Sequence, residues 1–219
     1  MSLYLDHNAT SPLDPRVLEA MTPWLLGAHG NPASVHKPGR AAHVALEQAR
    51  EQVAALVAAK PAEVTFTGGG TENLAGIVGF GKAAELAAHE LEQRASHSRA
   101  LRDALETEVR KLPGVRVFSG KAERLPNTLQ FGIEGLDGEW LVMELDKRGI
   151  AVSSGSACHS GKGEPSHVLL AMGLDPALAK GALRVSFGPG NTREDVQSVA
   201  KALQEITASR GQKVAAVGW

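Results

Sequence analysis

The chain of 219 residues is 43% hydrophobic and 21% charged, the composition of a globular protein with a core to bury and room for one large domain or two small ones. A net charge of −1 offers no electrostatic footing for nucleic acid or an anionic membrane, and apolar runs such as Trp24-Leu25-Leu26 and Leu141-Val142-Met143 fall far short of the ~20 residues that span a bilayer. The start, Met1-Ser2-Leu3-Tyr4-Leu5-Asp6, lacks the basic and apolar regions of a secretory signal, and one cysteine allows no internal disulfide; both lead to a cytoplasmic expectation.

Leu3 to Leu5 reads as a short strand before the turn residues Asn8-Ala9-Thr10-Ser11-Pro12. Asp14 is placed to cap a helix with Pro15 at its first position, running to about Leu26. The glycine- and proline-rich stretch from Gly27 to Gly39 is a loop. From Arg40 to Ala59, Val44, Leu46, Ala49, Val53, Leu56 and Val57 recur with a period near 3.6, which predicts a helix. Glu63 to Thr67 reads as a strand ended by Gly68-Gly69-Gly70. Thr71 to Leu112 is helical in pattern apart from Gly76, Gly79 and Gly81; an unbroken helix there would be ~60 Å long, so a bend or break is expected.

Beyond Pro113-Gly114, strands are predicted at Val115 to Phe118, Thr128 to Ile133, Ile150 to Ser153 and Ala182 to Phe187. Helices are predicted at Asp137 to Arg148 and Ser166 to Met172. A last helix starts near Thr192, with Asp195 in the position of a capping box, and runs to about Ser209. The tail from Gly211 to Trp219 has no pattern and is compatible with disorder. Val115 onward therefore reads as an α/β sandwich, whereas the preceding region has helices but one convincing strand for them to cover.

The segment Ser153-Ser154-Gly155-Ser156-Ala157-Cys158-His159-Ser160-Gly161 carries the sole cysteine among residues with almost no side chain. Such a setting is poor for core packing and suits a mobile arm bearing an accessible thiolate. Arg184 lies inside an apolar strand, an unusual place for an arginine, which favours a functional role over a surface ion pair. His7, His29, His159 and His167 invite a metal reading with Cys158, but no pair has the spacing of a zinc site, so no metal is expected.

Four segments in order, Tyr4-Leu5-Asp6-His7-Asn8-Ala9-Thr10, Gly30-Asn31-Pro32-Ala33-Ser34-Val35-His36, Ser153 to Gly161 with Glu164-Pro165-Ser166-His167, and Leu183-Arg184-Val185-Ser186-Phe187-Gly188, resemble cysteine desulfurases of the NifS/IscS type. The resemblance implies the fold-type I pyridoxal phosphate (PLP) transferase fold, here α/β, with a C-terminal small-domain sandwich plus long helices. It implies removal of sulfur from L-cysteine as a persulfide on Cys158, for iron–sulfur or other sulfur assembly, with Arg184 holding the substrate carboxylate. It brings Asn31 and His36 near the active-site cleft, although a turn-stabilising role suits either equally. It matches Thr71 to a threonine that reaches the PLP phosphate of a neighbouring subunit, although with the rest of the phosphate cradle gone a plain linker is the favoured reading there.

The family also needs a Schiff-base lysine, an acidic partner for the pyridine nitrogen and a ring-stacking histidine, carried on a long central segment. Here Phe66-Thr67-Gly68-Gly69-Gly70-Thr71-Glu72-Asn73 resembles either end of that segment, and the one Ser-x-His-Lys run, Ser34 to Lys37, lies in the loop ahead of it and not in the expected context. An internal deletion of most of the large PLP-binding domain between about Thr67 and Thr71 is expected, and with it weak or absent PLP binding. The ten lysines fall mostly on polar helix faces or in loops. The expected divisions are 1–70, a remnant of the large domain; 71–112, a connecting helix; 113–210, the small domain; and 211–219, a tail. Apolar helix faces that have lost their sheet leave area exposed at ~25 cal/mol per Å², which predicts a homodimer or larger assembly. The functional alternatives are a sulfur relay inactive on its own, a non-catalytic scaffold for itself, a full-length desulfurase or a sulfur acceptor, and an engineered minimised desulfurase.

Overall fold

Strand pairing builds one part of the chain and helix packing the other, in a computed structural model that describes residues 2–28, 30–67, 73–154 and 165–217. Met1–Ser11 with Gln93–Trp219 forms one compact unit, and Pro12–Glu92 forms the second.

In the first unit, β2 (Val115–Val117), β3 (Thr128–Ile133) and β5 (Ala182–Ser186) make an antiparallel sheet in the order β2-β3-β5. The register sets Phe131 opposite Leu183 and Gln130 opposite Arg184. A second, parallel pair joins β1 (Leu3–Tyr4) to β4 (Ile150–Ala151). Isolated bridges, Asp6 with Ser186 and Ser153 with Arg184, attach that pair to the free edge of β5. Alternation sends Leu129, Phe131, Leu183 and Val185 into the core with β1 residue neighbour Leu5. There they meet Leu101, Leu105 and Val109 of α3 (Leu74–Val109), Leu141 and Leu145 of α4 (Gly138–Asp146), and Val199, Leu203 and Ile206 of α7 (Arg193–Val217).

The caps follow from sequence. Asp137 accepts from the N–H groups of Glu139 and Trp140 to start α4. The Thr192–Asp195 capping box closes at both ends: Asp195 Oδ2 accepts from Thr192 N–H at 2.9 Å and Thr192 Oγ1 from Asp195 N–H at 3.3 Å. Two short helices, α5 (His167–Ala171) and α6 (Pro176–Lys180), precede β5. α6 is absent from the sequence expectation, although Asp175 caps it ahead of Pro176 at its first position. The last helix continues to Val217 rather than stopping near Ser209, so the tail expected to be disordered is largely helical backbone.

The second unit holds α1 (Pro15–Leu26), capped by Asp14 as expected, α2 (Lys37–Leu56) and the first part of α3. Two expectations fail here. The strand at Glu63 to Thr67 is replaced by a 3₁₀ turn at Pro61–Glu63 and an irregular run. A strand needs a neighbour for its main-chain groups; instead the Arg50 guanidinium donates to Val64 O and lies 5.5 Å from the Phe66 ring centroid. The expected break in the long helix is also missing. Gly79 and Gly81 serve close packing: a Cβ at Gly79 would stand 2.6 Å from Met21 Sδ, and one at Gly81 2.6 Å from Ala49 Cα.

One ion cluster fastens the loop after β2. Glu106 accepts from Arg110 at 2.6 Å and from Arg124 at 2.7 Å, with Glu106 and Arg124 side chains only 14% and 15% exposed. Burial pushes the Glu106 carboxyl up, but the two guanidiniums outweigh it and hold the group below its ordinary range. Glu106→Gln is expected to destabilise the fold by about 2 kcal/mol, because Arg124 is left buried without its counter-charge. A folded pKa below the unfolded value means this contribution is present above about pH 4.3 and is lost as pH falls through the folded pKa. Thermal melts of both proteins at neutral pH and at pH 3 check it; an equal gap at both would refute the charge assignment.

Candidate functional site

The polar face of β5 is where the chemistry-bearing residues of the first unit meet. Leu183 and Val185 point to the core, so Arg184 and Ser186 lie on the opposite face, beside Thr128 and Gln130 of β3. Arg184 Nη2 donates to Asp6 Oδ1 at 2.9 Å, and the two side chains are 21% and 20% exposed. Among the described residues, Arg184 Nε is buried without a hydrogen-bond partner. The Arg184 main chain exchanges two hydrogen bonds with Ser153, N–H to O at 2.7 Å and O from N–H at 3.2 Å. Ser153 opens the segment that contains Cys158.

Asp6 begins a tight turn. Its carbonyl accepts from Ala9 N–H at 3.0 Å and from Tyr4 Oη at 3.0 Å. Asn8 then ties the turn to the sheet: its N–H donates to Ser186 Oγ at 3.0 Å and its Nδ2 to Thr128 Oγ1 at 2.8 Å. His7 sits edge-on to Tyr4 with ring centroids 5.0 Å apart. Burial lowers the His7 pKa more than a hydrogen bond to the Tyr4 main chain and the charge of Asp6 raise it, so the ring is neutral at pH 7. The backbone of Gly188 closes over this imidazole, where a Cβ would stand 2.3 Å from His7 Cε1.

Asn31 and His36 belong to the second unit. Asn31 Oδ1 accepts from Ala33 N–H at 2.9 Å, and His36 Nδ1 accepts from Gly39 N–H at 3.1 Å as the N-cap of α2. This cap moves the start of α2 ahead of the expected Arg40. Both residues line a cavity of about 680 Å³ with Trp24, Pro38, Asn73 and Leu74. Cys158 and Thr71 lie outside the described residues. Arg184 therefore stands with Asp6 and Ser153, and Asn31 with His36. Asp6 was missed as a site residue: the Tyr4 to Thr10 run carried the signal, but nothing in it showed which side chain meets a residue 178 positions away.

The profile of the aminotransferase class-V family matches residues 3–75 and 68–199. The chain belongs to that family. Within it, the similarity is to cysteine desulfurases of the NifS/IscS type. A cysteine desulfurase of Gluconacetobacter diazotrophicus is 46% identical over 140 residues, 64% of this chain and 35% of the relative. The cysteine desulfurase IscS of Clostridium botulinum (strain Hall) is 43% identical over 143 residues, 64% of this chain and 36% of the relative. The chain thus spans about a third of the length of the curated relatives it matches. The NifS-like protein of Rickettsia africae ESF-5 superposes with a TM-score of 0.81 at 19% identity, over 94% of this chain and 99% of its own. A second NifS-like protein gives 0.84 at 21% identity, over 95% and 100%. The α/β architecture is that of the NifS-like fold.

The two profile matches overlap at residues 68–75, the stretch that resembles either end of the family's central segment. PLP chemistry in this fold requires a buried lysine and an acidic partner. Among the described side chains, Lys82 is half-buried and bound to Glu85 at 2.7 Å, and every other lysine is exposed. These lysines do not fit the requirement. No helix among the described residues is long and apolar enough to cross a membrane.

Gly188→Ala is expected to cost roughly 2 kcal/mol by driving the His7 ring out of its contact. The ring then gains solvent, and its pKa rises toward the ordinary histidine value. Histidine proton shifts followed through a pH titration check this; an unmoved His7 midpoint in a folded variant would contradict the packing.

Proposed function

We propose that this chain is a sulfur carrier of the cysteine desulfurase type, working in the cytoplasm: Cys158 holds sulfur as a persulfide, and Arg184 holds the carboxylate of the L-cysteine-derived donor. The observation that carries this reading is the main-chain pairing of Ser153 with Arg184. It roots the cysteine-bearing segment beside a half-buried guanidinium. Cys158 lies five positions beyond Ser153, a reach of at most ~18 Å. That length is sufficient for a thiol to serve both the arginine and a partner outside. The step that frees sulfur from L-cysteine belongs to groups this chain's described lysines do not replace. The chain therefore receives its sulfur rather than generating it. The Cys158 thiolate attacks the outer sulfur of a donor persulfide; the donor's S–S bond breaks, its thiolate leaves, and the outer sulfur stays on Cys158. No net oxidation or reduction occurs.

Incubated with L-cysteine and PLP alone, the chain is expected to gain no sulfur in intact-mass spectra, and borohydride to trap no single-lysine PLP adduct. Given cysteine persulfide, it gains one sulfur atom, and Cys158→Ser gains none. Uptake from L-cysteine and PLP alone would overturn the carrier reading in favour of an autonomous desulfurase. A chain that takes no sulfur yet binds a full-length desulfurase is a scaffold.

The partner in solution is a second copy. Leu18, Leu25 and Leu26 on α1, Val44 on α2 and Phe80 and Leu91 on α3 are exposed within the helical unit, more than single surface apolar residues explain. Light scattering at micromolar concentration is expected to report a dimer; a monodisperse monomer refutes it.

A further inference from the structure

The following step rests on the reading of Arg184 as a carboxylate anchor. We infer that Asp6 is an internal competitor for that anchor, a carboxylate of the chain itself that occupies Arg184 until the ligand's carboxylate displaces it, and so sets ligand affinity.

The contact is one-sided. Nη2 and Nε share the guanidinium edge that pairs with a carboxylate through two parallel hydrogen bonds. Asp6 Oδ1 takes Nη2 at 2.9 Å, while Nε is buried and has no partner among the described residues. Half of the edge is thus unsatisfied, and a ligand reaches it only when the groups over it move. An incoming carboxylate that engages both nitrogens gains the hydrogen bond that Asp6 leaves unmade.

Asp6 is built to let go with its side chain alone. Its main chain is bridged to Ser186, its carbonyl is held by Ala9 and Tyr4, and the preceding Leu5 carbonyl accepts from Ser186 N–H at 2.8 Å. The carboxylate can rotate off the guanidinium without disturbing β1 or the turn. Arg184 is fixed in the same way, paired with Gln130 on one edge and Ser153 on the other. Two carboxylates at one guanidinium also repel each other, so Asp6 opposes binding even where it is not fully displaced.

The test titrates the full chain with L-alanine, which carries the amino-acid carboxylate without a reactive thiol, and with alaninamide as the uncharged control. Asp6→Asn keeps a side-chain oxygen for Nη2 and removes the competing charge. It is expected to bind L-alanine about tenfold more tightly and alaninamide no better. Asp6→Asn with unchanged or weaker L-alanine binding, in a background where Arg184→Gln abolishes it, makes Asp6 a mere positioning residue and overturns the inference while leaving the anchor intact. Arg184→Gln that binds L-alanine like the unmodified chain overturns the anchor itself. The unmodified protein supplies an independent readout: the Asp6 carboxyl carbon resonance moves on saturation with L-alanine if Asp6 is displaced, and its constancy rejects displacement whatever the variants do.

Discussion

The strand Ala182–Ser186 is paired along both edges, and the geometry of the candidate site depends on that. β3 holds one edge through five register pairs, and Ser153 and Asp6 hold the other. A slip of one residue would turn Arg184 into the core and expose Leu183 and Val185, both fully buried. Burial of those two apolar side chains is therefore what aims the guanidinium. The same pairing sets Asp6 and Ser153, far apart in sequence from each other and from Arg184, on either side of its neighbourhood. No local preference does this. The positions come from main-chain ladders that the core keeps in register.

What was legible in the sequence was local. Asp14-Pro15, Asp137 and Thr192 with Asp195 announced helix starts because a cap is a contact over two or three residues. Thr128 to Ile133 announced a strand because its apolar residues sit among β-formers. Arg184 stood out as the odd residue in an apolar run. What failed depended on distant neighbours. Val64 to Thr67 has a strand's composition, but among the described residues nothing pairs with it, and Arg50 takes up a main-chain oxygen instead. Gly79 and Gly81 look like breakers until Met21 and Ala49 are brought against them. Asp6 could be read as part of a motif, but its contact with Arg184 exists only through the sheet.

The two units bury their apolar residues unequally. Of the fifteen large hydrophobic residues exposed among the described ones, ten fall between Leu13 and Leu91, although that unit is the shorter. The strand-bearing unit closes its own core because sheet faces and helices α3, α4 and α7 cover each other. The helical unit has no sheet of its own to cover. The two family matches overlap at 68–75, within this same unit, whose helices carry most of its exposed apolar residues. Their amphipathic pattern is intact, so the sequence reads as ordinary helix while the packing is incomplete.

On the proposed anchor reading, an arginine kept for a ligand is a problem for the folded chain. A half-buried guanidinium without a counter-charge loses hydration and gains little, a cost that grows with each donor left unpaired. Asp6 removes much of that cost by supplying one charge-assisted hydrogen bond, yet it leaves Nε unsatisfied. A second bond from Asp6 would stabilise the resting chain further, and it would also close the edge that a ligand needs. The one-point contact lies between these extremes. It is strong enough to give the guanidinium a counter-charge and, on the proposed reading, weak enough that a carboxylate offering two bonds displaces it. On the proposed reading of Arg184 as a carboxylate anchor, stability and binding draw on the same nitrogen atoms, and affinity follows from how much of the guanidinium the protein keeps for itself.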